Sequence, residues 1–283
     1  MQLITWNIQW GRGADGVVDP KRILRVCREM GDADVLCFQE VGRNFSGLAG
    51  SEGRDSFDAL AAELPGWTAV EGIGMDTLAP GGERRQFGEL VLTRRPVIQA
   101  FRHLLPWPAD SEVPTMQRVA VEVVIAGRRG PLRVTTTHLE YYSARQRAAQ
   151  VERLRELQAE AASHADDPPF PAKAGGPFET RPRPPSGILT ADFNLKPVDP
   201  LYARLQAPIA GSPSYRDAGR IRHGATPHAP TIGIYDKVQW PGEPFACDFI
   251  FVTEDLAAQV EDVLVDGTTK ASDHQPVLLK LAE

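Results

Sequence analysis

Residues 270–276 read Lys270-Ala271-Ser272-Asp273-His274-Gln275-Pro276 and run straight into the apolar segment Val277-Leu278-Leu279. An adjacent Asp and His at the mouth of a strand allow two readings. As a turn, Ser272 and Asp273 are ordinary turn formers, and Pro276 holds a permitted first position of a strand. As chemistry, the pair needs partners, so the other strand ends have to be examined.

Short apolar segments flanked by turn residues predict strands at Leu3–Ile8, Val35–Phe38, Leu90–Thr93, Val119–Ile125, Leu132–Thr137, Gly187–Thr190, Phe249–Val252, Val263–Val265 and Val277–Leu281. Gly127-Arg128-Arg129-Gly130 predicts a hairpin turn. Helices are expected at Pro20–Met30, with Pro20 in the first turn and Gly31 as the stop, at Ser143 to about Ser163, with Ser143 as cap, and at Pro200–Leu205. The segment from Asp166 to Ser186 carries Pro168, Pro169, Pro171, Pro177, Pro182, Pro184 and Pro185, and reads as a long, mobile surface loop within one domain spanning 1–283. Many strands and several helices in one chain predict two packed sheets with helices outside.

Four predicted strands terminate in polar residues: Asn7, Gln39-Glu40, His138, and Asp192 with Asn194. Two others begin with them, Asp248 and Asp273-His274. Where strands run antiparallel, the ends of one set and the starts of the other share an edge. All six groups can therefore meet on one rim.

The 283 residues are long enough to bury a large core, and the 42% hydrophobic and 24% charged fractions are ordinary for a globular protein. A net charge of -6 argues mildly against tight duplex binding by the molecule as a whole. Cys27, Cys37 and Cys247 are too few and too apolar in setting for a disulfide framework, and read as buried thiols in a reducing compartment. No stretch approaches a membrane span, and MQLITWNIQW lacks signal-peptide features, so a cytoplasmic location without stable membrane insertion is expected. Nothing in the sequence addresses oligomeric state.

The pieces TWNI (Thr5–Ile8), FQE (Phe38–Glu40), TTHL (Thr136–Leu139), ADFN (Ala191–Asn194), CDFIF (Cys247–Phe251) and SDHQPV (Ser272–Val277), with Arg147 and Gln150 in the helix after TTHL, resemble the endonuclease/exonuclease/phosphatase superfamily of the deoxyribonuclease I-like fold. Ala191 stands where members usually carry Gly. The resemblance implies an α+β, four-layer α/β/β/α sandwich of two mainly antiparallel sheets with helices outside. It also implies hydrolysis of a phosphoester substrate, nucleic acid being one candidate, with Mg²⁺ or Mn²⁺ and an activated water. Glu40 is then the leading metal ligand. Asn7 contributes a neutral oxygen or a water bridge, and Asp273 completes the shell, since Mg²⁺ prefers hard oxygens. His274 has the near-neutral pKa of a base and Asp248 is its orienting carboxylate by resemblance. Asp192 is the competing base, and the sequence leaves that choice open. Asn194 fixes a phosphate oxygen or Asp192, His138 if charged donates to phosphate, and Glu89 in FGELVL sits where the family often places a polar residue beside that His.

Taken singly, each residue has an ordinary structural reading: Asn7 as a turn former, ADFN as an Asx-turn, Asp248 as a cap, His138 as a hydrogen-bonded core histidine. Their joint order favours chemistry. No Cys/His spacing suggests zinc. His103, His164, His223 and His228 read as exposed, and Trp10, Trp107 and Trp240 as groove or packing residues.

Overall fold

The computed structural model describes residues 1–171 and 174–283. In chain order the elements are β1 (Gln2–Asn7), α1 (Pro20–Met30), β2 (Val35–Arg43), α2 (Ser56–Ala62), β3 (Thr68–Leu78), β4 (Arg84–Thr93), β5 (Val97–Leu104), β6 (Val119–Gly127), β7 (Gly130–His138), α3 (Ala144–Asp166), β8 (Gly187–Asp192), α4 (Pro200–Gln206), β9 (Tyr215–Asp217), α5 (Ala218–His223), β10 (Asp248–Thr253), β11 (Val260–Val265) and β12 (Val277–Leu281).

Two six-stranded sheets result, ordered β11-β12-β1-β2-β4-β3 and β5-β6-β7-β8-β10-β9. Pairing is antiparallel except β1 with β2 and β7 with β8. The alternation of Leu3, Val35, Val91, Val121, Val123, Val134 and Leu279 puts one apolar face of each sheet against the other. The opposite face of the first sheet buries Ile4, Trp6, Leu36 and Leu278 under α1 and α2. That of the second sheet buries Leu189, Phe193 and Phe251 under α3 and α4. The expected sandwich with helices outside is the observed one.

Helix starts follow the sequence closely. Asp19 caps α1 by accepting from the Lys21 and Arg22 N–H groups, with Pro20 next, and Ser143 Oγ accepts from Gln146 N. Elements absent from the sequence reading are α2, α5, the edge strands β3, β5 and β9, and the first half of β4. Close approach explains one unusual composition. A Cβ on Gly88 would meet the Gly72 carbonyl oxygen at 1.9 Å, so β3 and β4 pair there only through glycine.

The Pro-rich segment departs from expectation at its C-terminal end, while Ala172 and Lys173 lie outside the described residues. Arg183 donates to Glu122 at 2.8 and 3.2 Å, and the Pro184 carbonyl accepts from Arg133 Nε at 2.9 Å. This end is pinned rather than mobile. It enters β8 at Gly187, which pairs with Arg133, whereas His138 pairs with Asp192 at the far end of the same two strands. At about 3.3 Å per residue the separation along the strands is roughly 17 Å, so the pinned end does not cover the polar rim.

His103 and His228, expected to be exposed, are instead engaged. His103 Nε2 lies 3.5 Å from Glu122, and His228 Nε2 lies 3.1 Å from Asp217. Burial pushes the Glu122 carboxyl up, but His103 and the Arg183 and Arg133 guanidiniums outweigh it and hold the pKa at about 2. A depressed folded pKa gives stability that is present above the ordinary value of 4.5 and lost as pH falls toward 2. Urea unfolding should therefore show about 3 kcal/mol of stability disappearing from pH 5 to 2 that is absent from the profile of Glu122→Gln. Parallel profiles for the two proteins would contradict this.

Candidate active site

Parallel pairing of β1 with β2 and of β7 with β8 sends Asn7, Glu40, His138 and Asp192 to one edge. Antiparallel β10 and β12 bring the starts of their strands to the same edge. Asp248 pairs directly with Asp192 in register. Asn7, Glu40, His138, Asp192, Asn194, Asp248, Asp273 and His274 thus meet on a single rim.

Local backbone aims these groups. The register of β2 on β4 jumps between Phe38 and Val41, so Gln39 and Glu40 together oppose Glu89. This is a β-bulge, and Glu40 adopts φ 59° within it. Bulges re-aim a side chain at a sheet end, and left-handed backbone at a non-glycine residue persists only where the surroundings enforce it. Asn194 has φ 51° in an Asx-turn, its N–H donating to Asp192 Oδ1 at 3.0 Å. Gln39 ties the two sheets beneath the rim: its Nε2 donates to Thr5 Oγ1 at 3.1 Å and to Thr136 Oγ1 at 2.8 Å.

The hydrogen bonds form a connected network. Asn7 Nδ2 donates to Glu40 Oε1 at 3.1 Å and to Asp192 Oδ2 at 3.0 Å. Its Oδ1 accepts from Gln9 N at 3.1 Å and keeps a second lone pair, so the residue bridges two carboxylates while its oxygen still has room for the role expected of it. His274 Nδ1 lies 2.9 Å from Asp248 Oδ2, and its Nε2 lies 3.6 Å from Asp192 Oδ2. Thr231 Oγ1 donates to the same Asp248 oxygen at 2.5 Å. Asn194 Nδ2 donates to His138 Nε2 at 2.8 Å and to the Leu139 carbonyl at 2.8 Å. Ser272 Oγ donates to the Asn7 carbonyl at 2.8 Å, and Trp6 Nε1 to the His274 carbonyl at 2.9 Å, which seats the opening segment on β1.

The electrostatics follow from burial and crowding. Burial, then Asp273 and Asp192, push Glu40 up to about 7. Burial, with Asp248 adding and His274 opposing, raises Asp192 to about 6. Burial works against a charged His274, but Asp248 and Asp192 outweigh it and hold its pKa well above the ordinary value. His138 moves the other way, lowered by burial with Arg118 and His274 nearby. It stands neutral, so the charged donor considered for it is not formed. Its Nε2 accepts from Asn194, and its Nδ1 has no hydrogen-bond partner. Glu89 is raised well above the carboxylate range, chiefly by burial, and its Oε2 is likewise unpartnered.

Two donor sets come into question for a cation. Ligand atoms of Asp192, Cys247, Asp248 and His274 lie within 4.8 Å of one another. However, Asp248 Oδ2 already accepts from His274, Thr231 and the Cys247 thiol, the last at 3.4 Å. Burial, with Asp248 and Asp192 adding, pushes the Cys247 pKa up, so it is a protonated donor and not a thiolate ligand. Glu40 and Asp273 fit better. They repel one another, and neither has a Lys or Arg within ion-pair distance among the described residues. Such a hard-oxygen, charge-crowded site suits a divalent cation.

Sequence reading missed Thr231, which orients Asp248, and the bond by which Trp240, read there as a groove or packing residue, donates from Nε1 to Asp273 Oδ2 at 3.3 Å. Both lie in a Gly/Pro-rich stretch without periodicity. Trp10 and Trp107 instead donate to Ala49 O and Thr115 Oγ1.

No protein of curated function matches the sequence. Among solved structures, an endonuclease/exonuclease/phosphatase from Beutenbergia cavernae DSM 12333 is similar at TM-score 0.66 and 23% identity, covering 100% of this chain and 72% of that one. An endonuclease/exonuclease/phosphatase from Bacteroides vulgatus is similar at TM-score 0.68 and 19% identity, covering 99% and 98%. A mannosyl-6-phosphatase from Bacteroides thetaiotaomicron is similar at TM-score 0.62 and 14% identity, covering 100% of each. Among the described residues no helix is long and apolar enough to cross a membrane. The sequence profile of the Endonuclease/Exonuclease/phosphatase family matches residues 4–274, nearly the whole length over which the rim residues are spread, and the chain therefore belongs to that family.

Proposed function

We propose that this chain is a divalent-metal-dependent phosphodiesterase that hydrolyses its substrate with an activated water, nucleic acid being one substrate class that fits. The single observation that carries the reading is the convergence of the His274–Asp248 pair, Asp192 and Glu40 on one rim. Glu40 and Asp273 would hold Mg²⁺ or Mn²⁺. When bound, that ion neutralises charge developing on the phosphate and leaving oxygens.

The remaining roles belong to the side chains. Asn7 fixes Glu40 and Asp192 relative to one another through its two N–H bonds. Asp192, ionised at neutral pH, orients the attacking water and accepts its proton at Oδ2. His274, 3.6 Å away and held charged, keeps a proton on Nε2 and donates it to a phosphate oxygen. Asp248 holds the imidazole in place, and Thr231 holds Asp248. The unpartnered His138 Nδ1 donates to a second phosphate oxygen, with Asn194 fixing the ring.

A monoester dianion calls for several cations aimed at it. Besides the charged His274, the buried cation near the rim is Arg118, and its Nε lies 3.4 Å from Glu140. The charge supply therefore favours the singly charged diester. The test is a panel of bis-p-nitrophenyl phosphate, p-nitrophenyl phosphate, plasmid, single-stranded DNA and RNA. Diester kcat/KM should exceed monoester kcat/KM by at least about tenfold. The reverse preference would move the chain to phosphomonoesters.

A further inference from the structure

A cavity of about 460 Å³ opens beside the rim, walled by Tyr141, Asn194, Lys196, Trp240 and Phe245. That volume falls in the range of small-molecule sites. It is continuous with the reaction site on two sides. Asn194 is both a wall and the partner of His138, and Trp240 is both a wall and a donor to Asp273. An occupant would therefore adjoin the reaction site. Trp240 meets Tyr141 edge-on at 5.7 Å and Phe245 at 6.2 Å. Lys196 Nζ rests 4.3 Å from the centre of the Phe245 ring and has no carboxylate within ion-pair distance among the described residues. Tyr141 is 43% exposed, although it is a large aromatic side chain.

We propose that this cavity is the specificity subsite of the enzyme and receives a nucleobase carried on the scissile phosphate. The proposal rests on the phosphodiesterase reading above. Aromatic walls complement a planar ring, and base–aromatic stacking tolerates any base. The Lys196 ammonium supplies donors for ring nitrogens and carbonyls. A lipid chain would use the apolar walls and leave Lys196 without an acceptor, so the chemistry favours the base.

The test compares thymidine 5′-(p-nitrophenyl phosphate) with methyl p-nitrophenyl phosphate. In both, water oxygen bonds to phosphorus, the bond to the p-nitrophenolate oxygen breaks with its electron pair, and the water proton passes to Asp192. The thymidine ester should show a kcat/KM about tenfold higher, chiefly through KM. That preference should fall about tenfold in Tyr141→Ala and return in Tyr141→Phe. Equal kcat/KM for the two esters, or a preference that Tyr141→Ala leaves in place, overturns the subsite while the phosphodiesterase reading stands. If neither ester is hydrolysed, the phosphodiesterase reading fails, and calorimetric titration with thymidine 5′-monophosphate then decides the subsite. Binding about tenfold tighter than inorganic phosphate, and lost in Tyr141→Ala, upholds it; equal binding of the two ligands overturns it.

Discussion

Replacing His274 by alanine should lower kcat/KM for bis-p-nitrophenyl phosphate by about 10⁴-fold. The ring lies between two carboxylates, 2.9 Å from Asp248 and 3.6 Å from Asp192. Its loss removes the charged donor beside Asp192 and leaves Asp192 and Asp248 facing one another unrelieved. Asp248→Asn should also be severe, because it breaks the bond that sets the ring's orientation. Residues acting as one unit are strongly non-additive. The double variant His274→Ala/Asp248→Asn should thus be no more than about threefold worse than His274→Ala alone. A further hundredfold loss in the double variant would mean that Asp248 acts independently of His274.

Glu40→Gln should raise the Mg²⁺ or Mn²⁺ concentration needed for half-maximal activity by about 10- to 100-fold. The substitution keeps the shape on the bulge and removes the charge. In chelator the variant should melt no lower than the unsubstituted chain. The carboxylate it replaces is raised to about 7 by burial, Asp273 and Asp192, and so contributes repulsion when no cation is present. An unchanged activation curve would take Glu40 out of the ion site. A large drop in melting temperature in chelator would assign it a structural role instead.

How far the sequence was legible depended on the kind of signal each residue carried. Central strands such as Leu3–Ile8 and Val119–Ile125 are buried on both faces and read as mainly apolar runs broken only by Thr5, Asn7 and Glu122. The edge strands β3 and β5 are mostly half-exposed, and β3 contains Gly72, Gly74 and Asp76, so neither alternation nor β-propensity marks them. The rim residues were legible because strand ends punctuated by Asp, Asn and His in alternating chain directions can converge only on one edge. Local geometry was not legible. Nothing in Phe38-Gln39-Glu40 announces a bulge with φ 59°, and nothing in TWNI announces that Asn7 bridges Glu40 and Asp192. Cys247, read as a small buried hydrophobe, is also a thiol donor to Asp248. Thr231 lies 17 residues before the carboxylate it orients, in a stretch with no period to read.

The central claim is that the converged rim hydrolyses phosphoesters through a bound cation and His274. The most direct measurement is p-nitrophenolate release from bis-p-nitrophenyl phosphate by chelated protein, before and after Mg²⁺ or Mn²⁺ is restored, alongside His274→Ala. The expected result is release only when both the ion and His274 are present. Release that persists in chelator and in His274→Ala alike would contradict the claim.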